Sequence, residues 1–148
     1  MAGDPKPLDA SAAIIRVSTA VGERVLRVRA ASGLSARQLQ IIRLAARGVR
    51  INTLAERLGA PKSTMTSALD QLEDAGLVIR ITDPDDHRGQ VATSTAGGMI
   101  ALRNFDRAVK SALAELVGHL DETKSRRLRD LLGKLPDSTQ PVPLAGPR

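Results

Sequence analysis

The chain has 148 residues, a formal net charge of +6 and one aromatic side chain, Phe105. That length suits a single domain with its own core, and 42% hydrophobic against 26% charged residues excludes a disordered chain. One aromatic ring leaves little to stack on unpaired bases, which argues against single-stranded nucleic acid, and the lack of cysteine excludes disulfides, thiolate metal sites and thiol switches.

Residues 1–8 are polar and Pro-rich and read as a flexible start without a signal sequence. With no apolar run near membrane length, a cytoplasmic protein that avoids membranes is expected. A first helix is expected from Asp9, its cap, to Ala31, with Ile14, Val17, Val21, Val25 and Val28 recurring at helical spacing. Ser32-Gly33 breaks it. Ser35 then caps a second helix that shares Leu39, Ile42 and Ala46 on one face before Gly48 ends it.

Asn52 reads as the cap of a third helix with Leu54, Ala55 and Leu58 inward, broken at Gly59-Ala60-Pro61. A fourth helix, Lys62 to Ala75, buries Met65, Leu69 and Leu72 at i, i+4, i+7 and ends at Gly76. A small Ala55, a glycine turn and an apolar anchor at Met65 are what two closely crossing helices of a helix-turn-helix need. Leu77–Thr82 and Gln90–Ser94 read as strands joined by the loop Asp83–Gly89, a wing. A long helix follows from Ala96, with Met99, Leu102, Phe105, Val109, Leu113, Leu116 and Leu120 on one stripe, a length that calls for a partner helix. Asp121 caps a last helix stopped by Pro136, and residues 136–148 form a Pro-rich flexible tail. The fold class is therefore mainly α with a small two- or three-stranded β wing.

Charge is distributed unevenly. Residues 35–67 hold Arg37, Arg43, Arg47, Arg50, Arg57 and Lys62 against Glu56 alone, whereas residues 68–87 hold six acids against Arg80. The positive field thus centres on the front of the helix-turn-helix, and the following acids face away from phosphate or hold arginines in place. On the fourth helix Lys62, Ser63, Thr64, Thr66 and Ser67 fall at the N-terminus and the exposed face, where hydroxyls and backbone N–H groups reach phosphate and the helix enters a major groove. Ser or Thr there could merely cap and solvate the helix; the turn before and the wing after favour DNA contact. Arg88, two residues from Asp86, is placed for that carboxylate to orient its guanidinium toward a minor groove. His87 reads as a solvated loop residue.

Enzyme chemistry has no material. His87 and His119 are the only histidines, and nucleophile elbows, phosphate loops and paired carboxylates are lacking, so neither metal nor cofactor is expected.

The segments Leu34–Leu39, Leu54–Gly59, Lys62–Thr66, Leu72–Val78 and Asp83–Gly89 resemble, in order and spacing, the MarR family of winged-helix transcriptional regulators over about residues 9–135. The wing signature Asp86-His87-Arg88 is the most specific piece. The resemblance implies a homodimer in which a dimerisation helix (9–34) interlocks with C-terminal dimerisation helices (96–135), while residues 35–95 form the DNA-binding region. It implies a repressor on a pseudo-palindromic operator, often at its own promoter, relieved by a small-molecule effector in a cleft between the two regions. By resemblance Arg37 joins the helix-turn-helix residues and Arg88 at the DNA.

This chain departs from the family at several positions. Ser67 stands where an arginine is frequent, and Gln71 where another basic residue is common. Ser94 puts a hydroxyl where leucine would fill the core, and Gly97-Gly98 should loosen the start of the fifth helix. An alternative reading is a dimeric small-molecule-binding or protein-interaction module with degraded operator recognition; a non-specific architectural DNA binder is a third.

Overall fold

The computed structural model describes residues 7–84, 86 and 89–135, with backbone alone for residues 7 and 8. It divides into two compact units, residues 1–113 and 114–148. Six helices and three strands follow in the order α1 (Pro7–Ser32), α2 (Ala36–Leu44), β1 (Val49–Arg50), α3 (Ile51–Arg57), α4 (Lys62–Asp74), β2 (Val78–Thr82), β3 (Gln90–Ser94), α5 (Ala96–Val117) and α6 (Glu122–Leu132). No helix among the described residues is long and apolar enough to cross a membrane.

The first unit is built around one core. Ile41, Ile42, Leu54, Met65, Leu69, Leu72 and Val78 are its largest buried side chains, with Leu39, Ala45, Ala92 and Leu102 beside them. All three residues of the expected α4 stripe lie in it. In α2 the buried set is Leu39, Ile41 and Ile42, and Ala46 is exposed rather than inward. The reason is local: the chain tightens into a 3-10 turn at Ala45–Arg47, which turns Ala45 into the core in its place.

Helix starts follow their capping chemistry, with two corrections. Ser35 closes a capping box, its hydroxyl accepting from Gln38 N at 3.1 Å while the Gln38 side chain accepts from Ser35 N at 2.8 Å. The expected Asp9 cap is instead inside the first turn of α1, because the helix begins at Pro7, where a missing N–H costs nothing. Asn52 is likewise inside α3. The cap is Arg50, extended at φ −61°, ψ 136°, because β1 runs straight into the helix. In α1 only the C-terminal half of the expected stripe (Val21, Val25, Val28) is half-buried; Ile14 and Val17 stay more than half exposed.

The two helices of the helix-turn-helix end the same way. After α3, Gly59 N donates to Glu56 O at 3.1 Å and Ala60 N to Ala55 O at 3.0 Å; after α4, Gly76 N donates to Glu73 O and Leu77 N to Leu72 O, both at 2.8 Å. This paired closure needs a left-handed residue, and Gly59 (φ 56°) and Gly76 (φ 66°) supply it. The antiparallel sheet has order β1-β3-β2, with Val78 opposite Ser94, Thr82 opposite Gln90, and Val49 opposite Ala92.

Ser94, just before α5, and Gly98, in its first turn, both make built contacts. The Ser94 hydroxyl donates to Ile42 O at 2.6 Å, near the end of α2 where the helix tightens, so it satisfies a carbonyl rather than leaving a hole. Thr95 Oγ1 donates to Gly76 O at 2.7 Å and accepts from Gly98 N at 3.0 Å, capping α5 while binding it to the α4–β2 turn. Gly98 itself is buried against Leu77, where no side chain fits.

In the second unit Asp121 caps α6, accepting from Lys124 N at 2.8 Å. That backbone hydrogen bond, with the Lys124 side chain, holds its carboxyl below the usual 3.8. A depressed folded-state value means the cap contributes fully above 3.8 and is lost as pH falls through the lower value. Wild-type protein should therefore lose far-UV helical signal in acid that Asp121→Asn, whose cap does not titrate, retains; parallel acid titrations of the two would remove this assignment.

Candidate nucleic-acid interface

The sequence of α4 separates an apolar stripe from a hydroxyl-rich face, and packing fixes which side is which. Once Met65, Leu69 and Leu72 are fully buried, Lys62, Ser63, Thr66, Ser67 and Gln71 are left exposed and Thr64 half-exposed. Each flank of this face borders a groove.

On the α2 side an open groove of about 560 Å³ brings together Arg37, Ser63, Thr64 and Ser67 with Gln38 and Gln71. Among the described residues no acidic side chain lines it, so the Arg37 charge and the hydroxyls face an approaching anion directly. The groove is held open at a set width: Gln38 Nε2 donates to Gln71 Oε1 at 3.1 Å, joining the α2 capping box to the third turn of α4. Sequence reasoning did not find this bridge, whose two ends are far apart in the chain.

On the wing side a groove of about 450 Å³ holds Lys62 and Thr66 with Arg50, Arg80, Asp83 and Asp86. Here cations and acids are mixed. Thr66 Oγ1 donates back to Lys62 O at 3.0 Å, so its hydroxyl keeps only acceptor capacity for a partner. The structure thus splits the expected contact set, four residues in the acid-free groove and two in the mixed one. Arg88, the wing residue, lies outside the described residues, so the expected Asp86–Arg88 pair does too. Asp86 is exposed, and the loop closes on backbone bonds from Asp86 N to Asp83 O (3.3 Å) and Gly89 N to Asp86 O (2.8 Å).

Two arginines, in three ion pairs, position the wing. Arg80 on β2 donates from its backbone N (2.7 Å) and Nε (2.8 Å) to the two carboxylate oxygens of Glu73, and from Nη2 to Asp70 at 2.6 Å. These α4 acids hold an arginine, as the charge pattern suggested. The hydrogen bond to Glu73 raises the guanidinium pKa above its usual value, against the opposing effect of desolvation. Asp83 is buried and pairs with Arg50 Nε at 2.5 Å, tying the wing loop to β1. Its burial gave no sequence signal, because Asp83-Pro84 reads as an ordinary turn.

A helix-turn-helix followed by a hairpin, with β1 completing the sheet, is a winged helix. Residues 32–89 match a family model described as the MarR family. A curated relative from Thauera aromatica, described provisionally as a transcriptional regulatory protein for the hcr operon, is 29% identical over 88 residues; the match covers 60% of this chain and 53% of the relative, about half its length. Wild-type MarR from E. coli is 27% identical, with TM-score 0.67 over 90% of this chain and 100% of that one. A mutant of MepR from S. aureus, solved bound to an oligodeoxyribonucleotide, is 19% identical, with TM-score 0.71 over 84% of this chain and 94% of that one, a likeness of fold alone.

Proposed function

We propose that this chain is a homodimeric, sequence-specific transcriptional regulator that represses a nearby operon and its own promoter. The observation that carries the reading is the gathering of Arg37, Ser63, Thr64 and Ser67 on one acid-free groove beside α4. Each protomer sets the exposed face of α4 into a major groove, with Lys62 and Thr66 on the wing side and Arg88 reaching the flanking minor groove, Asp86 supporting the wing. The two half-sites then lie about one helical turn, ~10 bp, apart. The DNA-bound S. aureus relative supports this use of the fold.

Dimerisation is supported by apolar side chains that the chain leaves in solvent, Ile14, Ile15 and Val17 on α1 and, separately, Leu131 and Leu132 on α6. A monomer by light scattering at micromolar concentration would remove it. A small effector has a candidate site in a cleft of about 420 Å³ bounded by Val28, Leu34, Ala101 and Phe105, with Asn104 as a polar group to orient it. Such a ligand touches α5, whose cap Thr95 is bonded to the α4–β2 turn.

Selection of bound fragments from genomic DNA tests the whole reading: a discrete pseudo-palindrome is expected, and retention without a consensus would leave the architectural or interaction-module alternatives. Arg37→Ala should weaken binding about equally across sequences and reduce the salt slope by about one. An unchanged slope would take Arg37 off the phosphates.

A further inference from the structure

We infer that the Gln38–Gln71 bridge is a specificity device: it fixes the orientation of the Gln71 amide so that α4 offers the DNA its Nε2 donors first, an arrangement suited to guanine. The inference rests on the DNA-binding reading above.

The chain of hydrogen bonds begins at Ser35. A backbone N–H can only donate, so the atom of Gln38 at 2.8 Å from Ser35 N is the carbonyl oxygen Oε1. The other end of that amide, Nε2, then faces Gln71 and must meet an acceptor, which makes the Gln71 atom at 3.1 Å its own Oε1. The polarity of the α2 cap is thereby passed through two side chains. Gln71 Oε1 is thereby turned to α2, and its Nε2 keeps two hydrogens that no hydrogen bond engages among the described residues. Gln71 is exposed on the same face as Ser67 and Ser63, at steps of ~6 Å along the helix.

A glutamine free to turn reads adenine with both ends of its amide, accepting from N6 and donating to N7. With Oε1 turned to Gln38 and one of its lone pairs taken there, Gln71 is held in one orientation and leads with its two Nε2 hydrogens. In the major groove guanine presents two adjacent acceptors, N7 and O6, and is the base edge that matches. The position where family members commonly carry a basic residue thus keeps a guanine-reading donor without a charge.

Gln38→Glu isolates the device, because a glutamate at this place preserves the capping box. One of its oxygens still accepts from Ser35 N; the other accepts from Gln71 Nε2, which turns the amide and frees Gln71 Oε1. Duplexes should be selected from a random pool with wild-type protein, Gln38→Glu and Gln71→Ala, and melting should be followed for each. The wild-type consensus is expected to carry guanine at one symmetric pair of positions. Gln38→Glu should move that pair toward adenine by roughly tenfold in relative preference, with melting little changed. Gln71→Ala should flatten the same pair and leave other positions intact. A discrete wild-type consensus that both variants share unchanged overturns the relay while leaving the DNA-binding reading standing. A wild-type protein that selects no consensus overturns both.

Discussion

Gly98→Ala is expected to be the most damaging single substitution at a small residue. A Cβ on Gly98 would lie 2.1 Å from the carbonyl oxygen of Leu77 and 3.1 Å from its carbonyl carbon. Neither is the movable end of a side chain. Leu77 O also accepts from Thr95 N at 3.1 Å, and Leu77 N is tied to Leu72 O at 2.8 Å, so the carbonyl is fixed on both sides. Relief must come from moving the start of α5 away from the α4–β2 turn. Overpacking of this kind costs about 3 kcal/mol or more, a fall in melting temperature of roughly 10 °C for a chain of this size. Gly97→Ala is the matched control. Its Cβ would meet Gly76 O at 3.4 Å, an ordinary contact, and alanine's better helix propensity should leave stability unchanged or slightly improved. Thermal melts in which the two variants behave alike would show that the contact at Leu77 carries no weight.

Glu73→Ala should give the next largest effect, and it reaches the interface. β2 is an edge strand, and the backbone N–H of Arg80 is taken by Glu73 instead of standing open to another chain. The same carboxylate accepts from Arg80 Nε, and neither side chain is more than about a third exposed. Removing it leaves a half-buried N–H and guanidinium with Asp70 alone, a loss of about 2 kcal/mol and roughly 5 °C in melting temperature. If the wing position matters for DNA, affinity should fall as well, because Glu73 joins α4 to the sheet that carries the wing. Glu73→Gln should recover part of the stability through its remaining oxygen, while its amide nitrogen faces the Arg80 Nε donor and cannot bond it. An alanine variant with wild-type melting and affinity would reduce the clamp to a surface ion pair.

The sequence signals that held were those whose cause is local. The α4 stripe follows from helical period alone, and Ser35 and Asp121 announce themselves as caps because their partners lie three residues away. β1 could not be seen in that way: two residues carry no period, and their pairing with β3 is decided some forty residues later. The Asn52 reading failed for the same reason, since the cap position was set by a strand no local pattern revealed. Ser94 and Gly98 looked like defects because their partners, Ile42 O and Leu77 O, are remote or across a turn. At the interface, the hydroxyl face of α4 was legible from residue type and spacing. The bridge that disposes Gln71, the arginine clamp on β2 and the buried Asp83 all depend on side chains meeting across elements.

The cleft bounded by Phe105 has a practical consequence. Phe105 carries the chain's single phenyl ring, and no indole or phenol occurs anywhere in the sequence. The protein is therefore nearly transparent in the near ultraviolet and emits almost no light of its own. An aromatic compound entering the cleft would bring the dominant chromophore with it, so its spectrum reports its own binding. A tryptophan placed at Phe105 would be a sole emitter beside that compound, and energy transfer between them would measure occupancy without any label on the DNA.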